Sequence, residues 1–447
     1  MRAIIVGAGD VGFQLAGRLS QQGEEIVVVD TDQAKVDRVE DHLDVLALLG
    51  SGVDFRILEK ADISRADTLI AVSDDDEVNI LSCQLAARYG VGTKVARVGG
   101  DYYYGQSPMA LEGSLGVDVL VNPQEACAQE IQRLLKYAAA TDVVEFADGE
   151  VVLVGMKVGA GFLHLDRPLK QIAGEFEKRM FLVAAISRGE QTIIPHGDDV
   201  IRVGDQLYVI GKSHATADML RLAGYENRSL QRVMLAGGTE VAVRLAQLLE
   251  AQGVIPIIFE RDRTRCTLLA EILASSLVLN GDATDLDLLE SEGVYGVDGF
   301  VALTDDDENN IISSLVAKNM GATKTISQIK RLEYLNLATR IGVDASVSPH
   351  LSTVNAILAA THSERLLALA TLRGMSVQIM EISIRQGLPL VGKKLRDLKF
   401  PADCLLGAVV REGSTFIPHG DDHLLPGDKA IVFTLARQAK KVSKFFL

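Results

Sequence analysis

The sequence has few cysteines and none of the patterns typical of membrane-spanning or secreted chains. Its four cysteines lie far apart, with no C-x-x-C pair, at Cys83, Cys127, Cys266 and Cys404. Such scattered cysteines are typical of reduced, intracellular thiols. No apolar run approaches the roughly 18–20 residues that a membrane-spanning helix needs. The first predicted strand starts so early that a signal peptide has no room. We therefore expect a cytoplasmic chain, whose membrane role, if any, comes through a partner.

The chain also lacks an excess of basic residues. Its 60 acidic residues outnumber 45 lysines and arginines, which gives a formal net charge of −15 at pH 7. Nucleic acids and anionic membrane surfaces are themselves negative, so this balance disfavours both as partners. We expect no nucleic-acid ligand, which argues against a transcription regulator that senses nucleotides or redox state.

Common catalytic patterns are missing as well. The sequence contains no nucleophile elbow, Walker A loop or H-E-x-x-H pattern. By position, only His164 and His196 are candidates for the base of a dehydrogenase, and neither has a supporting pattern around it. We expect a sensor rather than an enzyme, and an NAD-dependent dehydrogenase of unknown substrate is the alternative.

The chain does contain an internal repeat. The segment AIIVGAGDVG at 3–12 returns as VMLAGGTEVA at 233–242, and IPHGDD occurs at both 194–199 and 417–422. One duplication of a two-module unit explains these matches. The predicted domains are A1 (1–123), B1 (141–226), A2 (230–348) and B2 (366–447).

In the A modules, continuously apolar runs alternate with amphipathic helical stretches. Strands of this kind are covered on both faces, as in a parallel, doubly wound sheet. Helices beginning at Pro123 and Pro349 are expected to lead from each A module into the next B module. The B modules combine strands and turns with one short basic helical segment. The predicted fold class is therefore α/β, with two Rossmann-like domains, each followed by a small α+β domain.

The strongest motif is Gly7-x-Gly9-x-x-Gly12, directly after the first predicted strand. In such a motif the first glycine permits a tight turn, the second admits a pyrophosphate and the third lets the helix lie close to the sheet. Asp30 ends the second strand, where a carboxylate accepts hydrogen bonds from the ribose hydroxyls and disfavours a 2′-phosphate. The sequence therefore predicts an NAD-type site, although a vestigial, empty crevice is the alternative.

Further candidates follow other strands of A1, at the edge where open α/β sheets bind ligands. Ser73 and Asp74 follow the fourth strand, and Arg97 lies in the fifth. Arg97 is suited to neutralising a pyrophosphate, or else forms a surface ion pair with a neighbouring acid. The segment 50–52 either borders an adenine pocket or is a plain turn.

The second copy departs from this pattern. Thr239 and Ala242 replace Gly9 and Gly12, so that the approach to the backbone is narrower. Glu260 replaces Asp30 and still suits a ribose. Gln328 replaces Arg97, which removes the cation. We expect the second site to be weaker, more selective or unused.

Two acidic patterns have alternative interpretations. The triplets at 74–76 and 305–307 suit a cation site, but acids at a helix N-terminus are the more common explanation. The HGDD segments at 196–199 and 419–422 suggest ligands, although tight turns are the default between strands.

Together, GAGDVG, VVVD, AVSDDDE and ARV in A1, with GKKLRDLKFP, GAVVREG, IPHGDD and LPGD in B2, make the chain resemble the RCK/KTN regulators of potassium transport. The likeness covers essentially the whole chain. It implies nucleotide-binding A domains that take NAD(H), or alternatively ATP and ADP, and regulatory B domains. It also implies a homo-oligomer, a tetrameric ring, on the inner face of the cell membrane. The implied partner is a TrkH-like, potassium-translocating membrane subunit.

The same resemblance implies two sets of cofactor-binding residues. The first set is Gly7, Ala8, Gly9, Asp10, Val11, Asp30, Ser73, Asp74 and Arg97. The second set is Gly237, Gly238, Thr239, Glu240, Val241, Glu260, Thr304 and Asp305. No catalytic or metal-binding residue is expected.

Overall fold

The computed structural model describes residues 1–21, 23–100, 103, 116–137, 140–147, 149–173, 180–189, 191–222, 230–361, 369–371, 377–401 and 403–446. By its contacts the chain divides into two compact units. Unit 1 comprises residues 1–129 and 347–361, and unit 2 comprises residues 130–346 and 362–447. The predicted end of B1 (223–226) and start of B2 (366–368) lie outside the described residues.

Module A1 folds as a parallel sheet of six strands in the order β3-β2-β1-β4-β5-β6. The strands are β1 (Arg2–Val6), β2 (Glu25–Asp30), β3 (Leu46–Leu49), β4 (Thr68–Ala71), β5 (Thr93–Arg97) and β6 (Val119–Val121). The helices are α1 (Asp10–Gln21), α2 (Gln33–His42), α3 (Phe55–Lys60) and α4 (Asp76–Arg88), followed by α5 (Pro123–Lys136). After their first residues, Arg2 and Thr68, the central strands β1 and β4 are apolar and contribute to apolar clusters on both faces of the sheet, as the sequence predicts.

Module B1 forms an antiparallel sheet with the order β10-β9-β11-β8-β7. Its elements are β7 (Ala140–Phe146), β8 (Val151–Lys157), α6 (Leu169–Ala173), β9 (Phe181–Arg188), β10 (Gln191–Ile193), β11 (Gln206–Lys212) and α7 (Thr216–Leu222). Arg188 and Asp205 join two of its segments through a bidentate pair of 2.9 and 2.8 Å. Arg411 and Asp428 make the same pair in B2.

Module A2 repeats the first sheet, in the order β14-β13-β12-β15-β16-β17. Its strands are β12 (Arg232–Ala236), β13 (Ile255–Glu260), β14 (Leu277–Asn280), β15 (Gly299–Ala302), β16 (Thr325–Gln328) and β17 (Ala345–Val347). Its helices are α8 (Glu240–Glu250), α9 (Arg263–Ile272), α10 (Leu286–Ser291), α11 (Asp307–Asn319) and α12 (Leu332–Ile341), followed by α13 (Pro349–Thr361).

Module B2 repeats the second sheet, in the order β18-β19-β22-β20-β21. Its elements are β18 (Leu369–Thr371), β19 (Val377–Ser383), β20 (Cys404–Arg411), β21 (Ser414–Phe416), β22 (Lys429–Leu435) and α14 (Ala439–Phe446). The basic segment that precedes β20 is only a short 3₁₀ turn at Leu395–Asp397. With both pairs of sheets in place, the predicted fold class is confirmed.

Each of the two connecting helices packs, wholly or in part, with the other copy of the repeat. Helix α13 follows A2 in the chain, yet it packs on α1 in unit 1, where Val354, Ile357 and Leu358 join the core. The last turns of α5 follow A1, yet they belong to unit 2. There Lys324, preceding β16, is 1% exposed and donates to the carbonyl oxygens of Leu134, Tyr137 and Ala140. Among the described helices, none has both the length and the apolarity to cross a membrane.

Candidate nucleotide sites

Unit 1 contains a crevice of about 660 Å³ at the carboxyl ends of the A1 strands. The side of an open α/β sheet where the strands end is where such folds bind ligands. All residues predicted for the first site except Ala8 line this crevice, namely Gly7, Gly9, Asp10, Val11, Asp30, Ser73, Asp74 and Arg97. Ala8 is fully buried beside it and contributes its backbone N–H.

The glycines of the first turn have different physical roles. Gly7 has φ +104°, in the region that favours glycine, and a Cβ there would meet the backbone of Ser73 at 2.8 Å. A Cβ on Gly12 would lie 1.8 Å from the carbonyl oxygen of Gly7, so only glycine lets α1 start this close to β1. A Cβ on Gly9 would meet nothing within 4 Å. Gly9 therefore presents bare backbone to open space, where a phosphate can approach the N-terminus of α1.

The carboxylate of Asp30 is held in place by the backbone. The Ala8 N–H donates to Oδ2 at 2.6 Å, and the Asp32 N–H donates to Oδ1 at 2.9 Å. Since each carboxylate oxygen can accept more than one hydrogen bond, both oxygens keep capacity for the two hydroxyls of a ribose. The carboxylate is thus oriented before any ligand arrives.

A buried asparagine fixes the opposite side of the crevice. Asn79 is fully buried; its Oδ1 accepts from the N–H and the hydroxyl of Ser73, at 2.9 and 2.7 Å. Its Nδ2 donates to the carbonyl oxygens of Ser73 and Arg97. Arg97 also donates to Asp74 at 2.9 Å. Arg97 thus lines the crevice and also forms the ion pair with a neighbouring acid.

Each acid of the first triplet has a structural partner. Asp75 is the N-cap of α4 and accepts from the Val78 N–H. Asp76 accepts from the backbone N–H groups of Gly99 and Gly100, which ties the loop after β5 to α4. Asp306 and Asp307 make the same contacts in A2, with Asn309 and with Lys330 and Arg331. Within the described residues, no group of three or more His, Cys, Asp or Glu side chains is arranged to hold a metal ion.

Three basic side chains of this crevice were not predicted from the sequence. Lys35 and Arg38 reach it from α2, and His350 reaches it from the first turn of α13. Arg38 donates to Asp10 at 3.1 Å, and His350 Nδ1 lies 3.8 Å from the other oxygen of Asp10. Asp10, in the first turn of the phosphate-binding helix, is therefore flanked by cationic or protonatable groups. Helical spacing could have indicated Lys35 and Arg38, whereas nothing in the sequence places His350 here.

The A2 crevice in unit 2 is smaller, about 420 Å³. The predicted residues that line it are Gly237, Thr239, Glu260, Thr304 and Asp305, whereas Gly238, Glu240 and Val241 do not. Glu260 is held as Asp30 is, because it accepts from the N–H groups of Gly238 and Asp262 at 2.7 and 2.8 Å.

Thr239 changes the phosphate side of the second crevice. Its hydroxyl donates to the Leu303 carbonyl at 2.9 Å and caps α8 by accepting from the Ala242 N–H at 3.4 Å. A helix N-terminal N–H that would meet a phosphate thus already has a partner in the chain.

Asp305, which lines the second crevice, has a basic partner, as Asp74 has in the first. Gln328 occupies the place of Arg97, as predicted, and Asn310 donates to its carbonyl oxygen as Asn79 does to Arg97. Lys330 Nζ lies 2.8 Å from Asp305 Oδ1. Gln328 is thus uncharged where A1 has Arg97, and Lys330 pairs with Asp305 without lining the crevice.

The HGDD segments of the B modules form turns. The Asp199 side chain accepts from the His196 N–H at 2.7 Å, and Asp422 accepts from the His419 N–H at the same distance. His164 and His196, the two histidines considered as a dehydrogenase base, line neither A-module crevice.

The fold and its two crevices define a duplicated protein of the RCK type, in which Rossmann-like domains alternate with small α+β domains. The TrkA-N domain family matches residues 3–123 and 233–349, and the TrkA-C domain family matches residues 165–224 and 379–447. The chain is 36% identical over 459 residues to Trk system potassium uptake protein TrkA homolog 1 of Methanosarcina mazei, with all of both chains covered. It is 32% identical to Trk system potassium uptake protein TrkA of Azorhizobium caulinodans, in a match that covers 100% of this chain and 98% of that protein.

The chain therefore belongs to the TrkA family of Trk-system potassium uptake proteins. The predicted resemblance is confirmed, and so is the assignment to potassium transport. The names of these relatives describe uptake proteins rather than enzymes, so the dehydrogenase alternative has no support among them.

Solved structures agree on the fold. The GsuK RCK domain has a TM-score of 0.58 and 17% identity, and covers 100% of this chain and 94% of that one. The GsuK channel bound to NAD has a TM-score of 0.59 and 16% identity, and covers 100% of this chain and 78% of that one. At these identities the likeness bears on the fold alone.

Proposed function

We propose that this chain is a nucleotide-responsive regulatory subunit that controls potassium uptake through a membrane partner. NAD(H), or alternatively ATP and ADP, is the proposed ligand of A1, bound by Gly7–Val11, Asp30, Ser73, Asp74 and Arg97. The main support is the Asp30 carboxylate, which the N–H groups of Ala8 and Asp32 orient beside the open backbone of Gly9. A family relationship to Trk-system proteins and the fold of a channel solved with NAD agree with it.

The chemistry of the crevice fits such a ligand. The free N–H groups and positive dipole of a helix N-terminus favour a diphosphate. The fixed carboxylate suits a ribose without a 2′-phosphate. A volume of about 660 Å³ lies within the range of small-molecule sites. The second crevice is proposed as a weaker site, at Gly237–Val241, Glu260, Thr304 and Asp305.

The proposed assembly follows the resemblance. Four chains form a ring on the inner face of the cell membrane, and a TrkH-like subunit is the potassium-translocating partner. The proposed domains are residues 1–123, 141–226, 230–348 and 366–447. Nucleotide binding changes the conformation of the ring, and this change alters the potassium flux through the membrane partner. Such a switch requires nucleotides to differ in their affinity for the two ring states.

The test is potassium flux in proteoliposomes that contain the membrane partner and the full chain. We expect ATP and ADP, or NAD and NADH, to change the flux in opposite directions. A matched chain with Asp30→Ala should lose most of this response while still assembling. Identical flux with all four nucleotides would refute the switching model.

A further inference from the structure

The two crevices differ most clearly at the loops that follow the second and third strands of each sheet. The loops can be compared residue by residue because their backbones bond alike: the Gly50 N–H donates to the Asp30 carbonyl, and the Gly281 N–H donates to the Glu260 carbonyl. The residues directly after these hydrogen-bonded positions are uncharged in A1 and charged in A2. Thr31 and Ser51 in A1 correspond to Arg261 and Asp282 in A2.

Further matches support this alignment on the far side of each loop. Asp32 caps α2 as Asp262 caps α9. Asp54 caps α3 as Asp285 caps α10. The substitutions at Arg261 and Asp282 therefore fall between conserved backbone features of the two copies, and the loops have the same lengths.

Arg261 and Asp282 bond to each other in the lining of the second crevice. Arg261 Nη2 lies 2.6 Å from Asp282 Oδ2, and both residues line the crevice. The other oxygen of Asp282 accepts from the N–H and the hydroxyl of Thr284, at 2.9 and 2.8 Å. Partial burial opposes ionisation of Asp282, but the bonds from Arg261 and Thr284 outweigh it and lower the pKa of that carboxyl. The acid is therefore charged and already oriented toward Arg261.

We propose that the Arg261–Asp282 bridge occupies the part of the second crevice that would receive the adenine of a nucleotide, and that it must open before such a ligand binds. This inference rests on the proposed nucleotide function of the A modules. In A1 the corresponding residues, Thr31 and Ser51, carry no charge and line the larger crevice of about 660 Å³. The bridge, with Thr239 on the phosphate side, makes A2 the low-affinity site of the pair.

The strength of the bridge sets the size of the effect. Its side chains are 60% and 41% exposed, so the pair belongs with solvent-screened surface ion pairs. Such pairs contribute little, and opening one lowers ligand affinity by about two- to fivefold. The bridge therefore biases the second site without abolishing it, and site 1 fills first as the nucleotide concentration rises.

The experiment measures ADP binding to the full chain by titration calorimetry, with site 1 disabled by Asp30→Ala and Arg97→Ala. Asp282→Ser introduces the residue that A1 has at this place, and Arg261→Thr does the same from the other side. Each substitution should tighten ADP binding by about two- to fivefold. The double substitution should give no more than either single one, because both remove the same bridge.

The matched control places the bridge in A1. In a chain with site 2 disabled by Glu260→Ala, Thr31→Arg with Ser51→Asp should weaken ADP binding by a similar factor. Unchanged affinity in both single variants of A2 would overturn the proposal. Tightening by Asp282→Ser combined with weakening by Arg261→Thr would also overturn it, since Arg261 would then be a ligand contact.

The outcome separates this inference from the proposed function. If the unmodified chain bound neither ADP nor NADH at any site, the proposed function and the bridge would fail together. If A1 bound ADP while the A2 variants behaved like their parent, only the bridge would fail. Thermal midpoints within about 2 °C of the parent are the criterion that each variant is folded.

Discussion

Replacing Gly12 by alanine is expected to destabilise unit 1, because this position is the closest approach between α1 and the turn after β1. The added Cβ would lie 1.8 Å from the Gly7 carbonyl oxygen and 2.9 Å from its carbonyl carbon, both backbone atoms that cannot rotate away. Since Cβ contacts essentially never fall below 3.0 Å, the first turn of α1 must shift by more than about 1 Å. Overpacking of this kind costs about 1–3 kcal/mol.

The assay is scanning calorimetry of the full chain, because a chain of several domains does not unfold in a single two-state transition. A transition assigned to unit 1 should move to lower temperature by several degrees. The control is Gly9→Ala, whose Cβ meets nothing within 4 Å. It should change stability by no more than about 0.5 kcal/mol, yet weaken nucleotide binding by narrowing the approach to the backbone.

The corresponding turn in A2 shows how the prediction for Gly12→Ala could fail. Ala242 occupies the place of Gly12 and is fully buried there. If Gly12→Ala left the calorimetric profile unchanged, the turn in A1 would accommodate the added Cβ, as the turn in A2 accommodates that of Ala242. The steric argument would then be refuted. Equal destabilisation by Gly9→Ala and Gly12→Ala would refute it too.

Three further predictions concern charge. Asp30→Ala should weaken nucleotide binding by roughly ten- to a hundredfold, as expected for loss of charge-assisted hydrogen bonds; unchanged affinity in calorimetry would place ribose recognition elsewhere. Burial lowers the pKa of Lys324 to about 7. Between pH 7 and about 10 the unfolded chain therefore binds a proton that the folded chain lacks, and the free energy of unfolding should rise with pH by at most about 1.4 kcal/mol per pH unit. In Lys324→Met that rise should vanish, and parallel pH profiles of the two thermal midpoints would contradict it. Burial alone would raise the pKa of Asp205, but the hydrogen bonds from Arg188 outweigh it and lower that pKa. The stabilisation that the Asp205 carboxylate contributes should therefore be lost as the pH falls below about 4. Asp205→Asn should flatten the acid side of the curve of stability against pH, and an unchanged acid side would exclude this role.

The main features of the A modules could be predicted from the sequence because they depend on local spacing. A glycine-rich turn after an apolar strand, and an acid at the end of the next strand, have few structural alternatives. The structure accordingly brings Gly7, Gly9, Asp30 and Arg97 to one crevice.

The remaining site residues depend on tertiary structure that local spacing does not determine. His350 lies 340 positions from Asp10 in the chain, and only the packing of α13 on α1 brings them together. Lys330 pairs with Asp305 from the loop after β16, not from the position that aligns with Arg97. The Arg261–Asp282 bridge joins two loops, and each partner alone is an unremarkable surface residue.

The placement of α5 and α13 means that this protein cannot be cut into two independent halves. A fragment that ends after B1 would lack Val354, Ile357 and Leu358, and would leave the apolar side of α1 exposed to water. A fragment that starts at A2 would lack the carbonyl oxygens that bond Lys324, leaving its Nζ without the partners it has in the intact chain. Each half would be complete only beside a second chain that supplied the missing helix.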